Sequence, residues 1–146
     1  MLGLQIEEGR GKRTGRRVIA TDPHLKVEAS VEENVTLLGA EGASIITYVS
    51  STKPDGSLHG EGEGVFASAQ GDMVTWKGTG VGLFTEGGAI HYCGSVSFTT
   101  TSQKLANLNG ISGVFQWEID PQGNTHSRIW EIAPAGVRQV AGAART

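Results

Sequence analysis

Among the residues able to do chemistry, Glu33 stands out first. It interrupts a row in which Val27, Ala29, Val31, Val35 and Leu37 fall on one parity, while Lys26, Glu28, Ser30, Glu32, Asn34 and Thr36 fall on the other. Such alternation marks a strand with one buried and one wet face. A carboxylate on the buried face needs a partner, and its pKa can rise far enough for acid–base work. Arg128 is a candidate partner, on a run His126, Arg128, Trp130 and Ile132 that shares one face of a later strand. The simpler expectation is a bulge that turns Glu33 outward.

Other groups invite chemistry less strongly. Tyr48 and Tyr92 can aim hydroxyls into an interior walled by Trp76, Trp117 and Trp130, although such aromatics more often form plain core. His59, Glu61 and Glu63 share a strand face at steps of roughly 6.5–7 Å, so a divalent metal would need further ligands from a neighbouring strand. A solvated outer face explains them more simply. His91 and Cys93 lie two apart, too far for a thiolate–imidazole pair on a straight strand. No Gly-x-Ser-x-Gly elbow and no His-Glu-x-x-His occurs. Neither a metal nor a cofactor is expected.

The elements that position these residues follow from composition and punctuation. Glycine supplies 22 of 146 residues, roughly twice ordinary usage. The β-branched residues Val, Ile and Thr far outnumber Leu, which excludes a helical bundle. The glycines keep no three-residue period, which excludes collagen. Turn signals recur at Asp22-Pro23, Gly39 to Gly42, Pro54-Asp55-Gly56, Gly71-Asp72, Gly87-Gly88 and Pro121 to Asn124. Between them lie eight candidate strands, near 12–19, 26–38, 43–52, 57–68, 73–85, 89–100, 111–120 and 124–132. Ser102 can cap a short helical turn near 103–109, in which Leu105 and Leu108 plug one end and Gly110 stops the turn.

Eight sequential antiparallel strands predict an all-β fold, a closed up-and-down barrel, with a sandwich as the competing architecture. The barrel occupies 1–132 as one domain, and 133–146, rich in Ala, Gly and Arg, reads as a flexible tail. Glycines alternate at Gly60, Gly62 and Gly64 and again at Gly78, Gly80 and Gly82, so each row lies on one face of its strand. Sharp coiling of a closed sheet is the first reason for such rows, and room for a ring or ligand against bare backbone is the second.

Charge limits the partners. Residues 1–17 carry a local charge of +3, from Arg10, Lys12, Arg13, Arg16 and Arg17 against Glu7 and Glu8, and the remainder carries −6. A body that acidic argues against nucleic acid. The basic stretch reads as a charged strand rather than a phosphate-binding arm. No apolar run approaches a membrane span, no secretory leader is read, and Cys93 is the single cysteine. A cytoplasmic location is expected.

Three stretches carry a resemblance: Lys53 to Val65 (KPDGSLHGEGEGV), Val74 to Gly82 (VTWKGTGVG) and Lys104 to Gly110 (KLANLNG). Over roughly residues 10–132 the chain resembles a small bacterial family of uncharacterised proteins and, more distantly, barrels of the allene-oxide-cyclase-like and calycin type. The resemblance implies a small closed antiparallel barrel and transfers no catalytic residue.

Three functions fit this reading. The first is a binding module holding a small apolar or amphipathic molecule against Trp76, Phe84, Tyr92, Phe115 and Trp117, with Tyr48 and Glu33 as polar contacts. The second is a cyclase- or isomerase-like enzyme using Glu33 or Tyr48 as acid or base. The third is a filled structural barrel acting through a homo-oligomer.

Overall fold

Eight strands account for most of residues 2–132, the part of the chain that the computed structural model describes: β1 (Gln5–Ala20), β2 (Lys26–Leu37), β3 (Ala40–Thr52), β4 (Leu58–Ser68), β5 (Met73–Phe84), β6 (Ile90–Thr100), β7 (Ser112–Ile119) and β8 (Asn124–Ile132). Each pairs antiparallel with its sequence neighbours, and β8 returns to β1, so the sheet is a closed up-and-down barrel. The expected tail at 133–146 lies outside the described residues.

The first strand begins at Gln5, well before residue 12. Gln5 to Lys12 is the stretch that pairs with Trp130 to Asn124 and completes the ring. Its order Glu-Glu-Gly-Arg-Gly-Lys carries no apolar alternation, so closure rather than local pattern makes it a strand. Beyond Arg13, whose amide still donates to Gly123, β1 runs on to Ala20 against β2 alone. The basic residues of 1–17 sit on this strand, where Arg17 pairs with Glu28 at 3.2 Å.

Two apolar clusters fill the interior. One gathers Leu37, Phe66, Val74, Phe98, Leu105 and Leu108 with their neighbours. Its plug is a 3-10 turn, Ala106–Gly110, with Leu105 and Leu108 almost wholly buried. Ser102 does not cap that turn. Its hydroxyl donates to Asp72 Oδ1 at 2.6 Å, which ties the turn to the β4–β5 loop. The second cluster gathers Val31, Ile46, Tyr48, Tyr92, Trp117 and Ile119.

Both glycine rows face inward, and they face each other. Gly60 opposes Gly80 and Gly62 opposes Gly78, while Gly64 opposes Trp76 and Leu58 opposes Gly82. Aromatic rings lie on the bare backbone. A Cβ at Gly60 would stand 3.0 Å from the Tyr92 ring, one at Gly82 would stand 2.6 Å from it, and one at Gly80 would stand 3.0 Å from the Phe115 ring. At Gly64 a Cβ would run into the Trp76 indole. At Gly60, Gly64 and Gly82 the bare backbone supplies room for a ring, the second of the two reasons expected, whereas at Gly80 the atom nearest an added Cβ is the Cys93 carbonyl oxygen of the neighbouring strand, 2.6 Å away.

Gly78 differs, because a Cβ there meets nothing nearer than 3.2 Å. Gly82→Ala should destabilise the barrel by about 2 kcal/mol, since Tyr92 is held at its hydroxyl and cannot retreat. Gly78→Ala should cost well under half as much, because its tightest contact is the Ser95 carbonyl oxygen at 3.2 Å and the entropic cost of strand glycine offsets part of it. Urea denaturation of the two variants reads this contrast, and equal losses would contradict the packing.

Candidate functional site

Glu33 stays on the inner face. The β2–β3 register runs without a break from Lys26–Ser51 to Leu37–Ala40, so the expected outward bulge is absent, and Glu33 is only 3% exposed. Its partners differ from expectation as well. Glu33 Oε2 accepts from Trp117 Nε1 at 3.1 Å and from Thr125 Oγ1 at 2.7 Å. Ser127 Oγ lies 2.9 Å from Glu33 Oε1. Arg128 is on the outer parity of β8 and approaches Glu118 at 3.9 Å. The buried parity of that strand is Thr125, Ser127, Ile129 and Glu131, so Trp130 also falls outside the interior.

A second carboxyl joins the first. Ser127 Oγ lies 3.1 Å from both oxygens of Glu7 on β1. A hydroxyl has one hydrogen to give. Ser127 serves both carboxyl groups when one of them keeps its proton and donates back to the hydroxyl oxygen. Glu7 is that group. Burial, and after it the negative charge of Glu33, push its pKa up to about 8. Gly9 makes the corner possible, because a Cβ there would stand 2.7 Å from both Glu33 Oε1 and Ser127 Oγ.

Aromatic rings complete the site. Tyr48 meets Trp117 edge-on with ring centroids 4.8 Å apart, and Tyr92 lies 6.0 Å from each. The Tyr92 hydroxyl donates to Ser50 Oγ at 3.1 Å. Burial raises the pKa of both phenols, most strongly for Tyr48, although Arg13 and Arg16 pull the latter back. Tyr48 is thus a neutral phenol at ordinary pH, a poor general base that keeps its proton to donate.

Between the two apolar clusters lies a cavity of about 70 Å³. Glu33, Tyr48, Trp76, Tyr92, Phe115 and Trp117 line it, together with Glu7, Ser127 and four glycines of the two rows. Of the residues singled out in the sequence as ligand contacts, Phe84 alone is elsewhere. It continues the inward parity of β5, but it sits at the last residue of the strand and is 60% exposed.

The remaining candidates lie on the outer surface. His59 Nε2 is 3.0 Å from Glu61, and Lys77 is 3.4 Å from Glu63. His91 approaches Glu118 at 3.7 Å, and Cys93 is exposed. No group of three or more His, Cys, Asp or Glu among the described residues is arranged to hold a metal ion. No helix among them is long and apolar enough to cross a membrane.

No protein-family model and no curated protein matches the sequence. Solved structures do match the fold. The chain is similar to a protein with unknown function from Clostridium acetobutylicum ATCC 824, with a TM-score of 0.79 at 12% identity over 89% of this chain and 95% of that one. It is likewise similar to a conserved protein of unknown function from Rhodopseudomonas palustris, with a TM-score of 0.73 at 11% identity over 90% of this chain and 99% of that one. The likeness is one of fold, shared with bacterial proteins of unknown function.

The raised Glu7 acid sets a pH dependence. The unfolded chain loses this proton near the ordinary glutamate pKa, whereas the folded chain keeps it to about 8. The folded state therefore binds more protons across that window, and stability falls as pH rises through it, levelling off above 8. Glu7→Gln should be more stable than the parent by about 5 kcal/mol at pH 8.5 and should converge with it near pH 4. Urea midpoints of the pair across pH 4–9 read this, and a constant difference would place Glu7 outside the cluster.

Proposed function

We propose that the barrel is a binding module that holds a compact apolar or amphipathic molecule in its interior. The cavity between the two apolar clusters carries this reading. At about 70 Å³ it offers about five to seven times the space one water needs. Its wall is carbon nearly throughout, with carboxyl and hydroxyl groups gathered in one corner at Glu7, Glu33 and Ser127. A largely apolar enclosure with a few convergent polar groups is the usual form of a small-molecule site. The size limits the occupant to a few non-hydrogen atoms. The resemblance to calycin and allene-oxide-cyclase barrels belongs to the same proposal, as closed meanders whose inside is the working surface. Phe84 takes no part in this reading. Location in the cytoplasm belongs to the same proposal and is consistent with a single, exposed thiol at Cys93.

Benzene and tert-butyl alcohol are suitable neutral probes. At ten times its Kd, either should raise the Tm by about 4 °C and change the fluorescence of the cavity tryptophans Trp76 and Trp117. Gly78→Val places two methyl groups in the cavity beside Phe115 and should abolish both effects while keeping the fold. Val96→Leu, at the β6 residue directly opposite Gly78, gives a second reduction of the same space. Unchanged Tm and fluorescence with both probes would contradict the reading.

A further inference from the structure

We propose that the preferred occupant of the cavity is a small organic ammonium ion, received by the aromatic walls and by the paired carboxyl groups of Glu7 and Glu33. The inference rests on the interior being a ligand site and names the ligand's chemistry.

Charge is the first argument. The charged side chains that reach the cavity are those of Glu7 and Glu33, and no Lys, Arg or His among the described residues lines it. Two carboxyl groups share one serine hydroxyl there, and a single retained proton is what keeps them together. That proton is the cavity's resident cation. An ammonium ion can take its place, leaving both carboxylates charged and releasing the proton to solvent. A neutral ligand gains nothing from the exchange.

The walls are the second argument. The polar tips of two cavity rings are engaged with protein, Trp117 Nε1 on Glu33 and the Tyr92 hydroxyl on Ser50. With those tips taken, Tyr92 and Trp117 offer an occupant aromatic surface, and Phe115 is a ring with no polar tip. The negative face of a ring attracts a cation, most strongly where water is excluded. An anion would meet the acidic groups of Glu7 and Glu33 with no basic side chain among the lining residues to offset them.

The titratable groups around Glu7 decide the pH response. Glu33 faces it from β2, and Ser127 faces it from β8. Glu8 follows it on its own strand, but its carboxylate is turned to His126 at 2.8 Å. Arg13 and Arg16, on β1, act on Tyr48 of β3. From β4 the carboxylate of Glu61 is turned outward to His59 at 3.0 Å, and Tyr92 is a neutral phenol from β6. With Glu7 protonated up to about pH 8, a cation competes with the proton below that pH.

Isothermal titration of the full chain with tetramethylammonium chloride, against tert-butyl alcohol as its neutral counterpart of similar size, tests this. Tetramethylammonium should bind at least tenfold more tightly than the alcohol at pH 9. Its affinity should fall about tenfold from pH 9 to pH 7. Binding at pH 7, run in two buffers of different ionisation enthalpy, should release about 0.9 proton per ligand. Glu7→Gln should remove the pH dependence, and the wild-type proton count stands by itself whatever that variant's folding. Tighter binding of the alcohol, or tetramethylammonium binding without proton release, overturns the ammonium assignment and leaves the cavity as a neutral site. If neither molecule binds, both this inference and the binding-module reading fall.

Discussion

The hydrogen-bonded seam between Gln5–Lys12 and Asn124–Trp130 is the constraint on which everything else rests. It turns an eight-strand meander into a ring, and a ring has an inside whose cross-section its strand number fixes. Once the inside exists, each inward residue is either core or cavity lining. The seam also brings together groups that are remote in sequence. Glu7 comes from one side of it, Ser127 from the other, and Glu33 from the strand beyond Glu7. The acidic corner is a product of closure and exists in no single hairpin.

Within that fixed circumference the glycine rows and the aromatics are complementary shapes. Large rings enter from β3, β5, β6 and β7, and they need depth that an all-branched wall would deny. Facing glycines on β4 and β5 provide it. The cavity is the space left where Gly78 and Gly80 meet Phe115 without being filled by it. The same features that make an efficient core around Tyr92 thus leave an opening a few ångströms away.

Much of this was legible in the sequence. Alternation in β2 gave the inward face of that strand correctly, and it placed Glu33 on the buried parity. The structure shows that no bulge was needed, because Trp117, Thr125 and Ser127 supply donors that a single-strand view cannot see. In β8 both parities mix polar and apolar residues, so the large Trp130 and charged Arg128 drew attention to the wrong face. Thr125 and Ser127, small and polar, hid the right one. Glu7 escaped notice because its strand is a run of charge and glycine. Phe84 shows another limit: parity says which way a side chain points, but not whether the strand is still inside the barrel at that level.

The overhang of β1 has a consequence of a different kind. From Thr14 to Ala20 the strand is paired on one side only, and Val18 and Ile19 lie exposed on it at 60% and 47%. A bare edge with apolar side chains is a template on which other chains can stack. Arg16 and Arg17 precede those two residues directly, and the pairing with β2 is shifted once after Arg13 and again after Val18. Like charges and irregular backbone both frustrate edge-to-edge growth. The basic stretch, read in the sequence as a charged strand, thus lies along the long margin that closure leaves open among the described residues, where its charge opposes extension by another strand.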